Sequence, residues 1–529
     1  MKPDELRSSY LSFFQEKGHT VWPSAPLVPE NDPTLLFTGA GMNQFKEMFL
    51  GVGNLPFRRA ATAQKCLRTG DLDNVGRTFY HHTFFEMLGN FSFGDYFKRE
   101  AIAWAWEFAT KVMRLPAGRL WISVYRDDEE ALAIWRDEIG FPERKIWRLG
   151  PDSNFWPANA PQDGPDGPCG PCSEMFYDYG TPGADGDPEA ARYCEFWNLV
   201  FTQFNRVGRD ELLPLNQKNI DTGMGFERML AILNGKRSNF ETELFRPLID
   251  ATARLAGRRY AHDAADAPAF RRIADHVRAG VFLVADGVKP SNEGRGYVAR
   301  RILRRAVRDG IGLGIDRPFL HELVPVLVDG MQSAYPETKA AEAAAAAFLR
   351  AEDERFRETY HAGIDLLERE LRGLRGRVLP GETAFVLYDS HGFPYELCAE
   401  ICAERGIAVD RAGFDREMER QRARSREESA MGGEVFVATA MTDLKRSARA
   451  TEFLGYDRES AASEVVALLR GEEKIPRATP ADGDVRLIAA RTPFYAEAGG
   501  QVGDTGVIEG REARFHVAGT RRVEGYVLH

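Results

Sequence analysis

Leu6, Tyr10, Phe13 and Phe14 recur at helical spacing and Gly18 follows as a stop, which predicts an amphipathic helix near the start of the chain. From Val21 to Pro33 prolines punctuate an extended stretch. Leu120 to Arg126 reads as a strand, and Asp127 to Gly140 as a helix with an acidic first turn. Phe196 to Asn205 is a long β-like run, and Asp221-Thr222-Gly223-Met224-Gly225 leads into a helix over Phe226 to Leu233. These strands are not separated by regular crossover helices. Residues 1–240 therefore predict an α+β domain around a largely antiparallel sheet. From 241 to 450 the pattern is nearly all helical. Lys339 to Arg375 holds almost no breakers and predicts a helix of up to about 55 Å. Arg422 to Gly433, polar and charged, reads as a linker or an exposed helix end. In residues 451–529, short β-like pieces (Glu464 to Leu469, Val485 to Ala490, Val507 to Glu509, Ala513 to Val517) alternate with Gly and Pro turns, as in part of a β-barrel. Gly525 to His529 carry no closing turn or helix, so the chain reads as interrupted there.

Composition narrows the class. The chain has 529 residues, 43% hydrophobic and 28% charged, which excludes disordered and fibrous proteins. Six cysteines are too sparse for a disulfide scaffold. The N-terminus lacks the apolar core of a signal peptide, and no apolar run approaches the ~18–20 residues of a membrane span. A cytoplasmic, reduced protein without membrane contact is the expectation.

Charge changes the picture locally. Lys and Arg total 69 against 79 Asp and Glu, a net charge of −10 that on its own argues against nucleic acid. Residues 271–310 hold ten Lys/Arg against four acids, or +6. On a helical wheel Arg300, Arg301, Arg304, Arg305 and Arg308 fall within an arc of about 140°. Ala299, Ile302, Leu303, Ala306 and Val307 occupy the opposite arc. One face is predicted to pack and the other to offer five arginines to phosphates.

No G-x-x-x-x-G-K-[ST] occurs, nor a G-x-G-x-x-G after a strand, so P-loop and dinucleotide-binding readings fail. Gly310 to Gly314 reads as a turn between helices. Cys169-Gly170-Pro171-Cys172 lacks the second pair a zinc ribbon needs and is expected to form a rigid tight turn placing Ser173, Glu174 and Asp178. The segment Arg68 to Phe97 combines an arginine, carboxylates and aromatic rings, a set that suits a nucleotide, although composition alone favours an aromatic core strand with satisfied histidines. In Asp221 to Arg228 the glycines permit close backbone approach. Arg228, in the first helical turn, leans back over them.

Taken together, Leu35 to Phe45, His81 to Phe97, Gly167 to Glu174, Asp221 to Arg228, Ala285 to Arg305 and Thr492 to Gln501 resemble the alanyl-tRNA synthetases, over the N-terminal part of that family's length. The resemblance implies the class II synthetase fold, with motifs near residues 5–38, 58–97 and 221–233. It divides the chain into an aminoacylation domain (1–240), a helical acceptor-stem recognition domain (241–450) and a partial β-barrel (451–529). It implies ATP and Mg²⁺ as cofactors, with Arg68, Glu86, Met87, Phe91, Glu174 and Arg228 around ATP. L-Alanine would lie among Met42, Trp156, Asn198, Val200, Asp221 and Gly223, its ammonium on Asp221. The catalytic groups would be Arg68, Arg228 and Asp221. tRNA(Ala) would be read at a G·U pair by Asn292 and Asp389, with Arg300, Arg301, Arg304, Arg305 and Arg308 on backbone phosphates. The loop after Arg68 is shorter than in many members and lacks their Gly-Lys-His-Asn stretch, with Arg77 a substitute. No H-x-x-x-H occurs, so neither the family's zinc-binding editing site nor zinc is expected in this chain, and a monomer is expected.

Overall fold

The computed structural model describes residues 1–29, 35–52, 56–180, 190–208, 211–289, 291, 294–374, 376–391, 393, 395–430, 450–455, 458, 460–470, 473–479, 483–496, 503–510, 513–523 and 526–529. Contacts divide it into two compact units, Met1–Ile364 and Asp365–His529. Among the described residues no helix is long and apolar enough to cross a membrane.

The first unit is built on a nine-stranded sheet. Its strands are β1 (Thr20–Val21), β2 (Arg59–Leu67), β3 (Phe84–Phe93), β4 (Leu120–Tyr125), β5 (Ile146–Leu149), β6 (Phe155–Trp156), β7 (Gly167–Asp178), β8 (Tyr193–Arg206) and β9 (Leu212–Gly225). The order is β1-β2-β3-β9-β8-β7-β4-β5, with β6 pairing β7. Among the described strands of this sheet, only the β1–β2 and β4–β5 pairs are parallel. β9 ends at Gly225 and helix Phe226–Leu233 begins at the next residue, as the sequence pattern predicts.

One face of the sheet is covered by helices. Helix α1 (Pro3–Glu16) buries Leu6, Tyr10, Phe13 and Phe14, the four residues of its apolar stripe. Tyr10 Oη donates to Asn90 Oδ1 at 3.0 Å, and the Tyr10 ring lies 5.8 Å from Trp197. Helix α2 (Phe226–Leu233) follows β9, and helix α3 (Ala267–Ala285) stacks Phe282 on Phe84 of β3 at 4.0 Å.

Charges are buried between these helices and the sheet. Arg7 donates to both oxygens of Glu86 at 2.6 Å, and Tyr335 Oη donates to Glu86 at 2.8 Å. Arg278 donates to Glu227 Oε1 at 3.0 Å, and the Glu86 amide donates to the same carboxylate. Asp275 accepts from the Thr83 amide at 3.0 Å and sits between His82 and His276, which together hold it below the usual carboxylate range.

Three expectations are corrected. Cys169 to Cys172 forms no turn but continues β7, with a register shift between Cys169 and Cys172 against β8. Pro171 pairs with Phe155 of β6 at this irregularity, where an extended proline needs no ladder N–H. Gly310 and Gly312 still belong to helix α4 (Gly294–Gly312), and Gly310 is packed so closely on Phe319 that a Cβ would lie 2.3 Å from its ring.

The third correction concerns the arginines of α4. Its apolar arc is buried as predicted, but none of the five arginines is exposed. Arg305 is buried and donates to Asp73 at 3.1 Å. Arg300 and Arg304 both donate to Glu352 of helix α5 (Glu342–Gly373), at 3.1 and 2.7 Å. A helical wheel sees neighbours in sequence only, whereas packing brings Glu352 and Asp73 from segments 48 and 232 residues away.

In the second unit, helices Gly381–His391 and Arg411–Ala430 pack through Phe385, Tyr388 and Phe414, joined by Tyr395. The predicted β pieces appear as Val465–Arg470, Arg486–Ala489, Gly506–Glu509 and Arg514–Val517. The first two belong to a five-stranded antiparallel sheet that buries Ala467, Leu469, Ile488, Tyr526 and Leu528.

Arg7→Met leaves Glu86 buried without its cation and should lower the unfolding free energy by about 3–5 kcal/mol in urea denaturation. Arg7→Met with Glu86→Leu should recover most of that loss. A double variant no more stable than the single one would contradict a paired-charge origin.

Candidate active site

Strand alternation decides which side chains meet on the face opposite α1. There β3 presents Phe85 and Met87, β8 presents Asn198 and Val200, and β9 presents Asp221 and Gly223. With Glu174 of β7 they line a cleft of about 660 Å³. Glu174, Asn198 and Gly223 stand in register across three strands, and Val200 and Asp221 pair in a neighbouring row. Gly223 has a steric reason to be glycine: a Cβ would lie 2.8 Å from Met87 Sδ.

Asp221 is the unusual group. It is buried, and among the described residues nothing donates to its carboxylate. Burial alone pushes its pKa from 3.8 up to about 7. Glu174 is also raised, by burial first and then by the nearby charge of Glu195. It accepts from Ser123 Oγ at 3.1 Å and from Asn198 Nδ2 at 3.3 Å.

Two arginines border the cleft. Arg68 follows the last residue of β2 and is exposed. Its amide donates to Thr83 O at 2.9 Å, its Nε to Gly39 O at 3.0 Å, and its guanidinium lies 5.1 Å from the Phe85 ring centre. Arg228, in the first turn of α2, leans back toward the strand: its Cδ is 3.2 Å from where a Cβ on Gly225 would stand. Its Nη1 donates to Glu195 O at 2.7 Å and Glu195 Oε2 at 3.0 Å, and the guanidinium lies over Tyr80 at 4.9 Å.

Of the residues singled out in the sequence, Arg68, Met87, Glu174 and Arg228 line the cleft together with Met42, Trp156, Asn198, Val200, Asp221 and Gly223. Glu86 does not. It sits between two cleft residues on β3, so alternation turns it to the helix-covered face, fully buried against Arg7 and Tyr335. Phe91 is on the cleft side but fully buried, its ring 4.8 Å from Phe45 and beneath Gly41. Arg77 is exposed and does not line the cleft. Asn292 lies outside the described residues. Asp389 is exposed in the second unit and accepts from Gln421.

The structure adds Phe85, His81 and Glu195 to the lining. Phe84 and Phe85 are adjacent in a strand, so only one can face the cleft; Phe84 stacks on Phe282 and Phe85 is left for the site. His81 Nδ1 is 2.8 Å from Thr78 Oγ1, and burial together with Arg228 lowers its pKa, keeping it neutral. A register shift in β8 between its pairings with Met175 and Phe176 brings both Glu195 and Phe196 to the cleft. Burial raises the Cys169 and Cys194 thiols to about 11 and lifts the Cys172 thiol well above its ordinary value. No cluster of three or more His, Cys, Asp or Glu suited to a metal occurs among the described residues.

Comparison with known proteins identifies this arrangement. Residues 5–529 match the model of the family "tRNA synthetases class II (A)". The chain is 49% identical over its whole length to an alanine–tRNA ligase of Thermus thermophilus, covering 62% of that protein. It is 48% identical to that of Chromohalobacter salexigens, again over its whole length and 60% of the relative. It is 49% identical to that of Neisseria meningitidis serogroup C, with the same two coverages. The chain thus spans about three fifths of the length of the curated relatives it matches. The chain belongs to the class II (A) family of tRNA synthetases, with that family's antiparallel-sheet fold.

Proposed function

We propose that this chain activates L-alanine with ATP to alanyl-adenylate and transfers it to the 3′ end of tRNA(Ala). The observation that carries the reading is Asp221, a buried carboxylate with no donor among the described residues, set in a cleft bordered by two arginines. A cation supplied by the substrate satisfies it, and the ammonium of an amino acid is such a cation. Val200, Gly223, Met42 and Trp156 leave room for a small side chain beside it.

The reaction needs no protein nucleophile. The alanine carboxylate attacks the α-phosphorus of ATP, the P–O bond to the β-phosphate breaks, and pyrophosphate leaves. Arg68 and Arg228 balance charge that develops on the phosphates, and the cleft aligns the reactants. Phe85, beneath the Arg68 guanidinium, offers a face for the adenine ring. Glu174, raised by burial and then by the charge of Glu195, and Glu195 itself are the adjacent carboxylates that would hold Mg²⁺. When bound, Mg²⁺ would neutralise phosphate charge. A ribose hydroxyl of the tRNA 3′ end then attacks the aminoacyl carbonyl, and AMP departs.

Recognition of a G·U pair in the acceptor stem is assigned to Asp389 with Asn292. Arg301 and Arg308, half-buried on the same helix, contribute at the stem's phosphates. The small pocket discriminates a methylene or a hydroxyl by only ~1–3 kcal/mol, so serine and glycine are also activated.

Alanine-dependent pyrophosphate exchange should be present in the wild type and fall at least about 100-fold in Arg68→Ala, and charging should fall when G·C replaces the G·U pair. An exchange rate unaffected by Arg68→Ala, or charging indifferent to the pair, would contradict the corresponding part of the reading. Asp221 also makes a stability prediction. Its folded pKa lies above the unfolded one, so its burial costs nothing below about pH 4, costs progressively more between about pH 4 and 7, and levels off above that. Asp221→Asn should therefore stabilise the ligand-free chain by roughly 2–4 kcal/mol at pH 8, with the gain shrinking toward pH 4, while abolishing exchange. A destabilised variant at pH 8 would assign Asp221 a structural role.

A further inference from the structure

Residues 35–43 form one wall of the cleft through Leu35, Phe37, Gly39, Ala40, Met42 and Asn43. Side-chain burial does not hold the start of this wall: Leu36 is 51% exposed. Backbone groups hold it instead. The Thr38 amide donates to Leu27 O at 2.8 Å, the Leu67 amide donates to Thr38 O at 2.9 Å, and Arg68 Nε donates to Gly39 O at 3.0 Å. The wall thus touches the arginine that borders the cleft.

Two charges from the 271–310 stretch grip this wall from outside the sheet. Arg295, in the first turn of α4, donates from Nε to Leu36 O at 2.5 Å and from Nη2 to Leu35 O at 3.1 Å. A planar guanidinium that serves two successive carbonyls fixes their direction as well as their distance. Asp286, at the C-terminal end of α3, accepts the Leu27 amide on Oδ2 at 2.7 Å. Its Oδ1 accepts from Lys65 Nζ at 2.8 Å, three residues before Arg68 on β2, and Lys65 also donates to Glu337 at 2.8 Å. The Lys65–Asp286 pair is buried, with side chains 5% and 7% exposed.

A chain of contacts therefore runs from Asp286 through Leu27 and Thr38 to Leu67 and Arg68, and a second runs from Arg295 to Leu35 and Leu36. We propose that Asp286 and Arg295 are positioning residues for amino-acid activation. They clamp Leu27 and residues 35–43, so that the alanine side of the cleft and Arg68 take their geometry from helices α3 and α4 as well as from the sheet. This rests on the activation reading above. It predicts a defined division of labour: the clamp affects how well the amino acid is held more than how fast bound reactants react.

The test compares Arg295→Ala, Arg295→Lys and Asp286→Asn with wild type, and with Arg317→Ala as a control on an exposed ion pair of the same unit. Arg295→Ala should raise the KM for alanine in pyrophosphate exchange about tenfold, the loss of charge-assisted hydrogen bonds, with kcat within about twofold. Arg295→Lys should recover part of it, because one ammonium can serve one carbonyl. In the ligand-free chain, hydrogen exchange in residues 35–43 should quicken in Arg295→Ala while β8 and β9 stay as in wild type. Asp286→Asn keeps an acceptor for Leu27 but loses the charge facing Lys65, and should show the same pattern. An unchanged KM in Arg295→Ala, or exchange quickened equally across β8 and β9, overturns the clamp alone. A wild-type chain with no alanine-dependent exchange overturns the activation reading and the clamp's role with it.

Discussion

A carboxylate taken out of water must find a cation or a set of donors, or surrender its charge, and Asp221 stands at the centre of a nine-stranded sheet with neither among the described residues. Other buried acids of this unit are met within the chain: Glu86 by Arg7, Glu227 by Arg278, Asp128 by Lys98 and Asp309 by Arg272. The contrast makes the cleft a place where stability is withheld until a ligand arrives. Its pKa of about 7 is the physical expression of that state, and the neighbouring arginines define where a polyanion would sit beside the cation.

The two faces of the sheet divide the work. On the helix side, charges occur in matched pairs and fasten α1, α2 and α3 to the strands. On the cleft side, Arg228 pairs with Glu195, and Asp221 has no donor among the described residues. A one-residue change of parity separates the two roles: Phe85 and Met87 border the cleft, while Glu86 between them is locked to Arg7 and Tyr335. The main-chain links are shared, since the Glu86 amide donates to Glu227, the residue before Arg228. Fastening the helices and aiming Arg228 are thus parts of one arrangement.

Much of this is legible in the residues. The apolar stripe of α1, the strand-to-helix junction at Gly225, and the ordered strings around Arg68 and Asp221 locate the sheet and most of the cleft. What local pattern cannot reveal is which face a residue takes and what arrives from far along the chain. The resemblance makes Glu86 and Phe91 look like ligands for a nucleotide, yet parity sends one to the helices and the Phe45 ring covers the other. The arginines of α4 look like an open stripe until packing brings Glu352 and Asp73 onto it. The prolines beside Cys169 and Cys172 suggest a turn, and only the pairing of β6 on β7 explains how they continue a strand.

The most direct measurement of the central claim is the proton balance of L-alanine binding, by calorimetry in buffers of different ionisation enthalpy. If a protonated Asp221 gives up its proton to receive the ammonium, binding at pH 6 should release close to one proton, and binding at pH 8.5 almost none. Release that is absent at pH 6 would mean that the carboxyl is already charged, or that alanine does not reach it, and would contradict the account.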